Sequence, residues 1–301
     1  MGFRVPWGEI LMKILITGAS GLIGSKLNSF LTEKGHTVIS FRLRSNSNEN
    51  ELLQVLDAQA VDAIINLSGQ SVASRWTKEK MDEIRASRLE SSKILYQALA
   101  KTSHRPRVLI GASAIGYYGN RGSEILDEKS AKGAGFLAEL ASDWEQIENE
   151  ANSLGIRVVN LRIGMVLSKD GGALGKMLLP FELGAGGAIG NGKQYMSWVD
   201  IDDVVGAINH ALSNTSIAGP VNAVAPYPVT NKEFTKTLGK VLKRPTLLPI
   251  PSFGLRMLFG SMADELLIGG QKVIPSKLQA SDYKFEYGDL ESSLRHVLDK
   301  A

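Results

Sequence analysis

The chain has 301 residues, 44% of them hydrophobic and 22% charged, with a net charge of +3, the balance of an ordinary globular protein. Its cations are scattered rather than massed in one stripe, which argues against a nucleic-acid partner, and it has no cysteine, which removes disulfides, thiolate metal sites and a cysteine nucleophile. Its four histidines stand far apart in no ligand spacing, so no metal is expected; no apolar run approaches the roughly 20 residues that cross a bilayer, so no membrane partner and a cytoplasmic location are expected.

Residues 1–11 precede a second methionine, Met12, and lack the long apolar core of a signal peptide; they are read as a leader or extension outside the fold. A short branched apolar run at 13–16 has the character of a buried parallel strand. Glycines follow at once, and then Leu22, Ile23, Leu27, Phe30 and Leu31 recur at helical spacing until Gly35 ends the helix. Residues 37–41 form the next strand. The alternation continues with a strand at 62–67, a long helix over 77–100, a strand at 107–110, a helix over 136–152 and a strand at 156–161. Strands alternating with helices predict a parallel, doubly wound α/β sheet of the Rossmann kind.

After Ser168 the texture changes to glycine-rich stretches, above all residues 184–192, and then to a proline-rich part containing Pro226, Pro228, Pro245, Pro249 and Pro251. This predicts a nucleotide-binding domain made of 12–167 plus 198–226, and a smaller substrate lobe made of 168–197 plus 227–301. The 184–192 segment is read either as a lid or as a plain surface loop.

The turn after the first strand reads Thr17-Gly18-Ala19-Ser20-Gly21-Leu22-Ile23-Gly24. A dinucleotide needs free backbone amides and a positive helix end for its pyrophosphate. Glycines at these positions permit the tight turn, the approach of main chain to phosphate and the close packing of helix on strand. The strand before and the helix after give the pattern its weight. At the end of the second strand, where NAD enzymes place an acid, the chain has Phe41-Arg42-Leu43-Arg44 and no acid until Glu49. A guanidinium pairs with a 2′-phosphate that a carboxylate would repel, so NADP(H) is preferred and NAD(H) comes second. Solvated loop arginines are the bland alternative.

These residues resemble the extended short-chain dehydrogenase/reductases. Asn66-Leu67-Ser68-Gly69 resembles the segment lying along the adenine-ribose side of the cofactor, and Leu161-Arg162-Ile163-Gly164 the stretch passing the nicotinamide. From Met12 onward the chain is similar to an atypical branch called "epimerase family protein" or "NAD-dependent epimerase/dehydratase", through Ser113-Ala114-Ile115-Gly116-Tyr117-Tyr118-Gly119, Asp143-Trp144-Glu145 and Gly219-Pro220-Val221-Asn222-Ala223. Typical members carry a tyrosine with a lysine four residues later, which together move the proton. No Tyr-x-x-x-Lys occurs here; aligned on Glu145, those positions hold Leu137 and Ala141.

The resemblance places Ser113 where the family's substrate-binding hydroxyl stands, and Tyr117, Tyr118 and Glu139 are the other candidates for catalytic work. Arg88 and Arg162 are candidates for the cofactor or an anionic substrate. The expected function is that of an NADP(H)-binding oxidoreductase or epimerase-like protein acting on a small polar carbonyl or hydroxyl compound. The alternative is a non-catalytic NADP(H) sensor acting through a partner. A homodimer through two long helices is what the superfamily resemblance suggests.

Overall fold

The computed structural model describes residues 11–300, so the reading of the first eleven residues as an extension falls almost wholly outside them. The chain runs β1 (Lys13–Thr17), α1 (Leu22–Glu33), β2 (Thr37–Phe41), α2 (Glu49–Gln59), β3 (Ala63–Asn66), α3 (Lys78–Lys101), β4 (Val108–Ala114), β5 (Ile125–Leu126), α4 (Phe136–Asn149), β6 (Arg157–Ile163) and β7 (Met165–Leu167). It continues through α5 (Gly172–Glu182), β8 (Tyr195–Met196), β9 (Trp198–Asp200), α6 (Ile201–Ser213), β10 (Gly219–Ala223), β11 (Val229–Thr230), α7 (Asn231–Leu242), α8 (Ser252–Phe259) and α9 (Ser261–Ala263). A π turn over Asp264–Ile268, β12 (Lys272–Val273), α10 (Ser276–Ala280) and α11 (Leu290–Val297) complete it.

Six strands pair in parallel in the order β10-β6-β4-β3-β1-β2. The chain enters in the interior at β1, moves outward to β2, and crosses back to β3 on β1's other side. That reversal opens a crevice at the carboxyl ends of β1 and β3, where open α/β sheets bind ligands.

Both sheet faces are covered, which is why the strands read as apolar runs rather than as alternations. Ile14 and Ile16 point to one face, against Leu27 and Leu31 of α1 and Val204, Ile208 and Leu212 of α6. Leu15 points to the other, with Leu52 and Leu56 of α2 and Leu95 and Leu99 of α3. Each of these buried side chains contributes about 1.5–3 kcal/mol.

Two elements differ from expectation. The helix α2 was not foreseen; its start is set by Asn48, whose side chain accepts from the Asn50 amide, and its burial by Leu52 and Leu56 one turn apart. The strand β4 does not stop at residue 110 but pairs with β6 through Ala114↔Ile163, so Ser113 lies inside a strand rather than in the loop after it.

The later residues add short pairs, β7 with β9, β8 with β11 and β5 with β12. Trp198, Leu174, Phe181, Phe234, Leu238 and Leu294 form a third apolar cluster, against which Leu22 and Ile23 of α1 also pack. The 184–192 segment is fastened: the Ile189 amide donates to Asn231 Oδ1 at 2.7 Å, the Gly190 amide to the Ile250 carbonyl at 2.9 Å, and the Ile250 amide to the Ala188 carbonyl at 2.8 Å. Among the described residues no helix is long and apolar enough to cross a membrane.

Candidate functional site

The glycine turn is a set of close approaches. Gly18 adopts φ +71°, and a Cβ there would sit 2.6 Å from the Leu67 carbonyl oxygen. At Gly24 a Cβ would lie 2.2 Å from the Gly18 carbonyl oxygen and 2.8 Å from the Ala19 Cα. Gly21 is less constrained: its amide donates to the Gly18 carbonyl at 3.0 Å, and an added Cβ would meet only that oxygen, at 3.2 Å. Gly21 also caps α1 without a side chain, and no acid stands in the first turn. The opening amides of α1 are thus left for an anion.

Below the turn, the Thr17 hydroxyl donates to Asn66 Oδ1 at 2.6 Å and ties the ends of β1 and β3 together. A cleft of about 730 Å³ opens above them. It is lined by Gly18, Ala19, Ser20 and Gly21 of the turn, by Arg42 and Arg44 after β2, and by Leu67, Ser68 and Gly69 after β3. The Leu22 and Ile23 side chains pack against the core while their backbone amides open α1, and Gly24 is buried at the helix–strand contact. Arg42 and Arg44 are exposed on either side of buried Leu43, and Glu49, the first acid beyond them, is paired with Lys101 at 2.8 Å. The Ser68 hydroxyl oxygen is buried with no hydrogen-bond partner among the described residues, an orphan on the wall of the cleft.

A second constellation gathers where β4, β6 and α4 meet. The Arg162 guanidinium grips Glu145 with two bonds of 2.8 Å, Nε to Oε1 and Nη2 to Oε2, and both side chains are almost wholly buried. The Ser113 hydroxyl donates to the same Glu145 Oε1 at 2.6 Å. Arg162 Nη1 donates to the Tyr118 hydroxyl at 3.0 Å, which in turn donates to Asn222 Oδ1 at 2.7 Å. The guanidinium carbon also stands 3.5 Å from the centre of the Tyr117 ring. Burial works against the charge of Arg162, but the paired carboxylate more than offsets this and holds it more firmly protonated than usual.

Of the candidate residues, Ser113, Tyr117, Tyr118 and Arg162 are therefore brought together, with Glu145 at their centre. Tyr118 is fully buried, and burial pushes its phenol up to about 12 despite the adjoining arginine. Glu139 stands apart on the outer side of α4, 61% exposed and 3.7 Å from Arg85. Arg88 lies beneath Gly69, donating to the Gln70 carbonyl at 2.9 Å and lying over the Trp144 ring; its burial lowers it to about 10. It supports the wall of the cleft rather than lining it. Leu137, at the position of the family's tyrosine, packs among Trp76, Phe136 and Met262, and Ala141 is buried.

Several contacts of the candidate site have no local sequence signal. Neither Glu145 nor Asn222 carries in its neighbouring residues a sign of the partner that it meets in the fold. Glu128 accepts from the Asn222 and Lys277 amides at 3.1 Å, and Glu265 accepts from the Phe136 and Leu137 amides at 2.9 Å, capping α4 from more than a hundred residues away. The fold also brings Asp200, Asp202 and His296 within mutual reach although their sequence spacing is not that of a metal site. In the structure these three bond one another and Asp202 pairs with Lys26 at 2.9 Å.

Glu148, one turn beyond Glu145, is fully buried, and among the described residues no cation pairs with it. Its carboxyl fills the space over Gly111, where a Cβ would lie 1.6 Å from Oε2, and it accepts from Asn66 Nδ2 at 2.7 Å. Burial raises it from 4.5 to about 8, further helped by neighbouring Glu145. The nearby Asn160 Oδ1 has no partner. A protonated Glu148 is thus the stable folded form at neutral pH. Because the unfolded chain ionises this group first, its contribution to stability is full below about 4.5 and is lost as pH rises to about 8. Asn160 Nδ2 also donates to Glu148 Oε2, at 3.5 Å; Glu148→Gln keeps the bond to Asn66 and, with the Asn160 amide turned over, donates to Asn160 Oδ1. Thermal melts across this range should show a flatter pH profile for E148Q than for the native chain, with the variant the more stable at the alkaline end; parallel profiles would refute the neutral carboxyl.

Residues 14–223 match the model of the "NAD dependent epimerase/dehydratase family", and residues 250–297 match a "Domain of unknown function (DUF1731)". An epimerase family protein of Mycobacterium bovis is 40% identical over 293 residues, covering 94% of this chain and 97% of that one. The human epimerase family protein SDR39U1 is 34% identical, covering 95% and 100%. A crystal structure of human SDR39U1 isoform 2 with NADPH superposes with a TM-score of 0.86 at 32% identity, covering 96% of this chain and 100% of that chain. A nucleoside-diphosphate sugar epimerase of Corynebacterium glutamicum gives 0.77 at 32% identity, covering 96% of this chain and 58% of its own. With the family model spanning most of the described sheet and relatives aligning along nearly the whole length, the chain belongs to the NAD-dependent epimerase/dehydratase family.

Proposed function

We propose that this protein is an NADP(H)-dependent oxidoreductase or epimerase-like enzyme acting on a small polar carbonyl or hydroxyl compound, with an active centre organised by Glu145 and Arg162 in place of the tyrosine–lysine pair. The cofactor fits the cleft on three counts. The Gly18 and Gly24 positions leave no space for a side chain, the α1 amides lack a cap, and the orphan Ser68 hydroxyl awaits a partner. Gly18, Ala19, Ser20 and Gly21 with the α1 amides would hold the pyrophosphate, Arg42 and Arg44 the 2′-phosphate, and Leu67, Ser68 and Gly69 the adenine-ribose side. The NADPH in the human relative's crystal structure supports the choice of cofactor.

Bound there, the nicotinamide supplies hydride chemistry. The observation that carries the catalytic reading is the buried Glu145–Arg162 pair, because it fixes two hydroxyl-bearing side chains at once. Glu145 holds the Ser113 proton, leaving the Ser113 lone pairs to receive a hydrogen bond from a substrate hydroxyl. A proton taken up by Ser113 has a short path onward to the Glu145 carboxylate. Tyr117, partly exposed and held by its ring on Arg162, is the phenol left to meet a substrate oxygen. The Tyr118 phenol is committed to Asn222 and Arg162 and serves as structure.

One observation favours the sensor instead: Leu137 closes the family's tyrosine position with an apolar cluster. NADPH consumption with quinones, aldehydes and keto-sugars separates the two. Turnover that disappears in Ser113→Ala and falls in Tyr117→Phe is the expected result; tight NADPH binding without turnover on any compound would favour the sensor. The double change Arg42→Ala with Arg44→Ala should weaken NADPH by about 1.5–3 kcal/mol, or roughly 10- to 100-fold, and leave NADH nearly unaffected. Equal losses for both coenzymes would remove the 2′-phosphate assignment.

A further inference from the structure

The later part of the chain exposes large apolar side chains on segments that touch one another. Leu179 and Leu183 at the end of α5 are 64% and 75% exposed, Leu247 and Leu248 are 86% and 76%, and Phe253 and Met257 of α8 are 69% and 76%. The segments adjoin: a Cβ at Gly187 would strike the Leu248 carbonyl, one at Gly184 would reach Pro245 at 3.9 Å, and Arg244 Nε donates to the Glu182 carbonyl at 2.7 Å. Phe253 and Met257 stand one turn apart on α8, a helix with no buried residue at all. Scattered exposed leucines need no explanation, but a band of this kind marks a surface that something covers.

The charge beside the band says what covers it. From residue 228 to 258 the chain carries six cations, Lys232, Lys236, Lys240, Lys243, Arg244 and Arg256, against a single acid, Glu233. Glu233 is consumed in the capping box of α7. The four lysines lie on one stripe of α7 and its cap, opposite the buried face of Phe234, Leu238 and Val241, and the stripe runs into Lys243-Arg244 at the edge of the apolar band. Of the acids near the band, Asp264 is tied to Arg256 at 2.8 Å, Glu291 to Lys240 at 2.6 Å and Glu265 to the amides of α4, and Glu182 is exposed at the end of α5, so Lys232, Lys236, Lys243 and Arg244 carry the excess of positive charge. A second copy docked on this face about a two-fold axis would oppose like charges. An anionic bilayer surface complements both parts, accepting the apolar side chains among its acyl chains and the lysines at its headgroups.

We propose that the face formed by the end of α5, residues 244–250, α7 and α8 docks peripherally on anionic lipid membranes, with Phe253, Met257, Leu247 and Leu248 inserted. The absence of a spanning segment bears on crossing a bilayer and not on this mode of attachment. The route from the face to the site is short: α8 leads through Gly260 to Met262, which packs with Trp76, Leu140 and Phe136 beside the opening of α4.

The test is co-sedimentation of the full chain with vesicles of phosphatidylcholine alone and of phosphatidylcholine mixed equally with phosphatidylglycerol, alongside sedimentation velocity without lipid. Binding to the anionic vesicles only, weakened at least about tenfold by Phe253→Ser with Met257→Ser, and weakened by Lys236→Glu with Lys243→Glu or by added salt, is the expected result. Both pairs of positions are exposed, and NADPH affinity, which should not change, reports that the variants are folded. Absence of binding to either vesicle would overturn the proposal, as would equal binding by the Phe253/Met257 variant. Concentration-dependent self-association abolished by the same variant would assign the face to a second copy and overturn it too.

Discussion

Replacing Gly24 with alanine is expected to abolish measurable NADPH binding while the rest of the sheet stays folded. The new methyl carbon would stand 2.2 Å from the Gly18 carbonyl oxygen and 2.8 Å from the Ala19 Cα, both backbone atoms that no rotamer change can move. Either α1 lifts away from β1 or the turn opens, and in both cases the amides aimed at the pyrophosphate lose their position. Overpacking of this kind costs about 1–3 kcal/mol of stability. The loss in affinity should be at least about a hundredfold, roughly 2.8 kcal/mol. Gly18→Ala should follow closely, because its φ of +71° and its 2.6 Å approach to Leu67 are both unfavourable for a side chain. Gly21→Ala, with a single contact at 3.2 Å, should cost far less. Calorimetric titration with NADPH, with a thermal melt of each variant, gives the ranking. If Gly24→Ala bound NADPH as the native chain does, the cleft above β1 and β3 would not be the coenzyme site.

The second large effect is at Arg162. Arg162→Met leaves the Glu145 carboxylate buried without its partner, and removing one member of a buried pair costs about 3–5 kcal/mol. A drop in Tm on the order of 5–10 °C is expected. The same change unfastens Tyr117 and frees the Tyr118 hydroxyl from a donor, so any turnover should vanish with it. Glu145→Gln combined with Arg162→Met removes both charges together. It should recover most of the lost stability and none of the turnover, giving a coupling of at least about 2 kcal/mol in a double-mutant cycle. Additive stability losses would mean that the pair does not act as a unit.

The coenzyme half of the molecule is legible in the sequence because its determinants are local. Gly18, Gly21 and Gly24 sit within one turn and one helix start, and β1 and β3 are apolar on both faces, so periodicity and turn chemistry identify them. Arg42 and Arg44 could be placed by counting from the turn to the end of the next strand. The proposed catalytic half is not local. Ser113, Glu145 and Arg162 come from β4, α4 and β6, and nothing near Glu145 in the chain distinguishes a buried partner from one more solvated acid on a helix. The last residues of β4 were missed for a related reason: Gly111-Ala112-Ser113-Ala114 looks like a turn, and it is pairing with β6 and the Glu148 carboxyl seated over Gly111 that make it a strand. Tyr118 shows the same limit, since adjacency to Tyr117 in sequence hides the difference between a phenol spent on Asn222 and one left partly open.

The capping of α4 by Glu265 has a consequence for selectivity. The first two amides of that helix, beside the proposed catalytic cluster, already hold a carboxylate, and at Gly135, φ +108°, an added Cβ would stand 3.0 Å from that carboxylate. While that contact lasts, a compound bearing a phosphate or acid at this end finds repulsion where a bare helix would have offered attraction. In the proposed reaction, discrimination between charged and uncharged compounds would thereby rest on the chain's own glutamate, with neutral head groups holding the advantage at this doorway.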